Sequence, residues 1–140
     1  MGKIALNREQ SGKFPLINIV SLQRKMKYKQ LEQEIDLNDP ESGFSFSSDG
    51  DSVELSLVDW RNRKLTFRFY TTYVFTYRIA NGWKSLPEAH VLEILDSVLI
   101  KALREDHSAS AEEELHHYII STNEDEWCEV VAEKYETIKG

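Results

Sequence analysis

Four histidines, one cysteine and two dense carboxylate runs are the residues of this chain whose chemistry could be put to work. His116 and His117 are adjacent, and on a strand adjacent side chains point to opposite faces, so the pair cannot easily share one metal ion. His90 and Glu93 stand three apart, a ligating spacing if both lie on one helix, but no second ligand set accompanies them. Asp49-Gly50-Asp51 places two carboxylates at a turn without continuing into a calcium-loop pattern. No metal site is therefore expected. Cys128 is flanked by Glu126 and Glu129, which raise a thiol pKa and work against a nucleophile, so a packed cysteine is the reading. The six glycines are scattered singly and build no phosphate cradle. No cofactor and no catalytic constellation is expected, and the chain reads as a non-enzyme.

The carboxylate runs are Glu112-Glu113-Glu114 and Glu124-Asp125-Glu126. Consecutive acids in turns point into water; they are either a solvated surface or a lure for Lys and Arg on a partner. Charge is unevenly spread. Residues 1–30 hold seven cations against one acid, while residues 88–136 hold fourteen acids against three cations, within a net charge of −7. Such a field repels nucleic-acid phosphates and draws basic partners. Trp127 adjoins the second run, and an aromatic anchor ringed by charge is the composition of a protein-binding hot spot, with core packing as the alternative. Trp60 and Trp83, both near turns, are further candidate anchors. Arg68, Tyr70 and Arg78 form a smaller basic-aromatic patch. With the N-terminal lysines, they would serve a second reading, a small RNA-associated or regulatory domain.

The elements that must hold these residues follow from periodicity. The 140 residues suit one domain, residues 1–140, with residues 1–13 a flexible lead-in and residues 44–138 the compact core. Residues 14–20 suggest a short strand or apolar anchor, and residues 23–36 a helix. From Phe44 the period becomes two. Asp49-Gly50 marks a type I′ hairpin turn, and residues 44–79 read as a four-strand antiparallel meander, with Leu65, Phe67, Phe69, Tyr73, Phe75, Tyr77 and Ile79 on one face. Ser85 and Glu88 suggest a capping box opening a helix over residues 86–103, striped by Leu92, Leu95, Leu99 and Leu103. Two strands, residues 115–122 and 127–132, form a hairpin, and residues 133–140 follow as a closing tail or short final strand. The fold class expected is α+β, a single antiparallel sheet of about six strands with helices packed on one face. No apolar run long enough to span a membrane occurs, no signal-peptide block is seen, and a single cysteine suits a reducing compartment.

The aromatic meander of residues 65–79, the leucine helix, and the ending His117-Tyr118-Ile119-Ile120-Ser121-Thr122 and Trp127-Cys128-Glu129-Val130-Val131-Ala132 together resemble small acidic bacterial immunity proteins of polymorphic or contact-dependent toxin systems. The likeness is one of style over roughly residues 44–138. It implies a cytoplasmic, non-catalytic protein that binds one cognate toxin domain, often a basic nuclease, and occludes its cleft. The contact residues would be Glu124, Asp125, Glu126, Trp127 and Glu129, with Glu112, Glu113 and Glu114 as steering charge.

Overall fold

The structure, a computed structural model, describes residues 26–140 apart from Asn81 and Lys84. The expectations for residues 1–13 and 14–20, and for the start of the helix at residue 23, lie outside the described residues. Seven strands form one antiparallel sheet: β1 (Tyr28–Leu31), β2 (Ser45–Asp49), β3 (Ser52–Val58), β4 (Lys64–Ile79), β5 (Val91–Ile94), β6 (His116–Ser121) and β7 (Glu126–Lys139). A single short helix, α1 (Val98–Glu105), is described. The sheet order is β1-β5-β6-β7-β4-β3-β2. The fold is mostly β, with less helix than an α+β reading requires.

Alternation set the sheet correctly and mis-set its length units. The third and fourth strands of the expected meander are one sixteen-residue strand, β4, because nothing between Lys64 and Ile79 has the turn chemistry to break it. The closing hairpin is also longer than expected, since β7 runs on to Lys139. The two long strands pair along nearly their whole length, from Leu65↔Lys139 to Ile79↔Glu126. The β2–β3 turn sits one residue later than the sequence suggested. Asp49 pairs Ser52, and positive φ occurs at Gly50 and not at Asp49 or Asp51, which is a demand on the first central residue alone.

One residue bends the sheet. Thr71 has φ 55°, a left-handed conformation rare for a β-branched side chain, and the β4–β7 register shifts between Thr72 and Val74. The bulge folds the first half of β4 toward the second. Phe46 of β2 therefore lies edge-on to Phe75 and Tyr77, at 5.1 and 4.9 Å between ring centroids, and Phe69 lies 5.9 Å from Tyr118. The interior of this coil is the main core: Leu55, Leu57, Leu65, Phe67 and Phe69 from one half, Tyr118, Ile120, Cys128, Val130 and Ala132 from the other. Leu37, in the connection from β1 to β2, closes over it at 1% exposure, so the core reaches further toward the N-terminus than residue 44.

The helices expected over residues 23–36 and 86–103 are not found. Tyr28–Leu31 is an edge strand paired with β5. Within residues 86–103, Val91–Ile94 is β5, paired with β1 and β6, and only Val98 onward is helical. The reason is burial on both sides. Val91 packs into the main core, while Leu92 and Ile94 pack into a second cluster with Leu86, Ile119 and Trp127. An apolar run buried on both faces carries no alternation to distinguish it from a helix. The stripe also divides: Leu95 stays exposed, whereas Leu99 and Leu103 dock α1 on Leu115 and Val131. The bulge reassigns Tyr73 as well, which joins this third cluster under α1 instead of the Phe75–Tyr77 row. No helix among the described residues is long and apolar enough to cross a membrane.

Candidate functional site

The seven acids and one tryptophan singled out above part into two sets. Trp127 is 3% exposed and packs against Leu86, Leu92, Ile94 and Ile119, with Trp83 5.7 Å away. The core-packing alternative describes it, and it does not project as an anchor. Its Nε1 has no hydrogen-bond partner among the described residues. Glu126 is committed inward: its carboxylate accepts from the Phe44 N–H at 3.2 Å and from the Tyr77 hydroxyl at 2.6 Å. That bond and burial push the Tyr77 phenol up to about 12. Glu129 is held 2.7 Å from His117 Nε2.

The others face water, apart from the half-buried Glu113. Glu124 and Asp125 are exposed in the β6–β7 turn, where the Asp125 carbonyl accepts from the Ala80 N–H at 2.7 Å. Glu112 and Glu114 are exposed just before β6, and Glu113 accepts from the Tyr73 hydroxyl and the Ser110 N–H. Glu113 thereby sits below the usual carboxylate range, the Tyr73 bond being the chief cause. Because one run precedes β6 and the other follows it, the six residues of β6 hold them about 20 Å apart. The structure brings the acids to two poles, not to one patch.

The two histidines fall on opposite faces of β6, as alternation required, and each is embedded among polar groups. His116 lies 2.6 Å from Glu93 through Nδ1 and 2.7 Å from Glu114 through Nε2, with Lys29 3.7 Å from Glu93. Burial lowers its pKa, but the two carboxylates outweigh burial and leave it above the ordinary value. His117 links Ser97 Oγ, 2.6 Å from Nδ1, to Glu129. Ser97 Oγ also accepts the Ile100 N–H at 3.0 Å and is the N-cap of α1. This serine–histidine–carboxylate chain fastens the helix start to the sheet, and the hydroxyl is engaged by both the cap and the His117 ring. His90 and Glu93 do not share a helix: His90 precedes β5 and Glu93 lies within it. Cys128 is fully buried opposite Ile120, and burial, with Glu129 nearby, drives its thiol upward. Among the described residues no His, Cys, Asp and Glu group forms a three-ligand metal arrangement.

The basic-aromatic patch is internally paired. Arg68 lies 2.6 Å from Glu54 and 3.6 Å from Glu136, and the Tyr70 hydroxyl donates to Glu136. Arg78 stacks over Trp83 at 4.2 Å, in the other half of β4. Trp60, 45% exposed, donates to Asp36 at 3.0 Å beside a cleft of about 200 Å³ lined by Arg61, Arg63 and Lys139 among others.

Sequence reasoning missed one feature altogether. The β3 ladder on β4 ends at Val53↔Phe69, and the Thr72 N–H donates to the Asp51 carbonyl. From Tyr73 to Ile79, the side of β4 turned away from β7 has no ladder partner among the described residues. The cause is a mismatch of lengths, a sixteen-residue strand beside a seven-residue one, which the sequence does not announce. No family model matches the chain, and no curated protein or solved structure was found to be similar to it.

Proposed function

We propose that this chain is a non-catalytic protein-binding module, an immunity protein of the cytoplasm that neutralises a cognate toxin domain of basic, nuclease type by steered association and occlusion. The observation that carries the reading is the pair of exposed acidic poles, Glu112 and Glu114 at one end of β6 and Glu124 and Asp125 at the other, rigidly spaced by a buried strand. A fixed negative field of this kind raises the encounter rate with a cationic protein and disfavours phosphate backbones. Arg68, which the RNA-associated reading needs, is neutralised by Glu54 and Glu136, so the geometry favours the protein partner.

The test is protection. The full chain is co-expressed with the C-terminal domain of a large secreted protein encoded immediately upstream, should its genome hold one, and growth is scored. Restored growth together with a stable complex of the two purified proteins is expected. Toxicity unrelieved by the chain, combined with saturable, salt-sensitive binding of total RNA in a gel shift at two salt concentrations, would put the RNA-associated reading in its place.

A further inference from the structure

His116 makes more contacts than a neutral histidine can satisfy. Its Nδ1 lies 2.6 Å from a Glu93 oxygen and its Nε2 lies 2.7 Å from a Glu114 oxygen. An ionised carboxylate only accepts, and a neutral imidazole owns a single N–H. Both contacts are hydrogen bonds only while the ring is an imidazolium that donates from each nitrogen. Once the proton leaves, one carboxylate faces a bare ring nitrogen and that contact becomes repulsive. The surroundings decide which carboxylate gives way. Glu93 lies within β5, its side chain 15% exposed, with Lys29 of β1 3.7 Å from its other oxygen. Glu114 precedes β6, its side chain is 78% exposed, and its carboxylate has no further hydrogen bond among the described residues. Its backbone is restrained, because Glu113 beside it is held by the Tyr73 hydroxyl, the Ser110 N–H and Arg104. The remaining neighbours of the ring are Tyr118 of β6, stacked at 5.8 Å, and Ala132 of β7, opposite His116 in the ladder. Tyr135 of β7 packs on Tyr118 and donates to Glu32.

We propose that His116 is a proton-operated latch. Protonated, it holds the Glu114 side chain against the sheet; deprotonated, it keeps Glu93 through Nδ1–H and releases Glu114 to solvent. The two carboxylates outweigh burial and favour the charged ring, as a proton shared between them requires. Charge follows the latch. With the proton in place, Lys29, Glu93, His116 and Glu114 balance one another. Without it one negative charge is uncompensated, and the side chain set loose is Glu114, in the same acidic run as the exposed Glu112. Binding of a cation at this run and loss of the His116 proton therefore favour each other, because linkage between two sites is reciprocal. The latch stands on the chemistry of one ring and its neighbours. It goes beyond the toxin-neutralising reading and does not depend on which partner the chain meets.

The first test is the tautomer. Histidine ring nitrogens and glutamate carboxyl carbons of the full isotope-labelled chain are followed by NMR from about pH 5 to 9, a span that brackets histidine titration. Above the His116 midpoint the neutral ring is expected to carry its proton on Nδ1. The Glu114 carboxyl signal should move with the same midpoint, and that movement should vanish in the His116→Gln chain. Glu114→Gln, a change at an exposed side chain, should lower the midpoint. A neutral ring protonated on Nε2, or a Glu114 signal indifferent to the midpoint, overturns the latch. The second probe is an octalysine peptide, read at the backbone amides of Glu112, Glu113 and Glu114. It should bind about three-fold more tightly above the midpoint than below it, and it should pull the midpoint down. The His116→Gln chain should show neither effect. Equal affinity on both sides of the midpoint, or a pH dependence that survives in His116→Gln, overturns the coupling. Growth protection without the latch would discard this device and keep the immunity reading; a working latch in a chain that protects against nothing would do the reverse.

Discussion

His116 is a cation in waiting. Glu93 and Glu114 hold its two ring nitrogens, Lys29 engages Glu93, and the ring stacks on Tyr118 at 5.8 Å. Folding raises its pKa above the ordinary histidine value of 6.5, so the protonated form adds stability in full below that pH. That contribution is lost as pH rises through the folded value. Urea unfolding followed from acid to alkaline pH should therefore show stability falling above 6.5, and the His116→Gln chain should lack that fall. An unchanged slope in the variant would mean that other groups carry the pH dependence. His117, one residue away, has a different task, because its partners Ser97 and Glu129 tie α1 to the sheet. The sequence disclosed that the two rings face opposite ways. It did not disclose their partners, since Glu93 lies 23 residues from His116, and their meeting depends on β5 pairing β6.

Trp127 shows how an element sets a residue's role. The first pairs of the β6–β7 hairpin turn its ring toward Leu92, Ile94 and Ile119, and the chain after β4 passes so close that a Cβ at Gly82 would stand 2.1 Å from a ring carbon. The ring is buried and cannot yield, so Gly82→Ala should lower unfolding free energy by about 3 kcal/mol. At Gly43 the nearest atom is the Glu126 carboxylate at 2.8 Å, the far end of a flexible side chain, and Gly43→Ala should cost only about 1 kcal/mol by weakening its hydrogen bonds. Denaturant titration of the two variants checks the ranking; equal losses would mean that the indole packs less rigidly than its burial implies. The same elements mark what was legible. Period-two alternation identified β2, β3, β4, β6 and β7, because each has a clear inner face or a clear turn. Residues 86–103 misled because a leucine repeat at helical spacing coincides there with a strand buried on both sides, and pairing with β6 outweighs local helix propensity. The bulge at Thr71 left no mark in the sequence, for threonine is an ordinary strand residue, and with it the end of the β3–β4 ladder at Phe69 stayed hidden.

The molecule as a whole is a coiled sheet whose interior is filled by its own aromatic residues and whose negative charge is displayed at two ends. Residues 88–136 carry fourteen acids against three cations, yet Glu93, Glu113, Glu126 and Glu129 are turned to internal bonds. The field around this part of the molecule is therefore set chiefly by the exposed acids, with Glu112, Glu114, Glu124 and Asp125 at the two ends of β6. Screening confines such charges to about 8 Å at physiological salt, so they act on approach to the rim and contribute little once a central contact has formed. Reversing Glu124 and Asp125 to Lys shifts the charge by two units at each position and brings the net charge from −7 to −3. Association with any toxin domain that the chain neutralises in the protection test, followed by stopped flow, should slow by about ten-fold, and its dependence on salt should flatten, while dissociation stays nearly constant. Reversal of Glu126 and Glu129 would instead break the Phe44, Tyr77 and His117 contacts, and its effect should appear in unfolding experiments before it appears in binding. An association rate indifferent to the Glu124 and Asp125 reversal would show that this pole of the sheet does not face the partner.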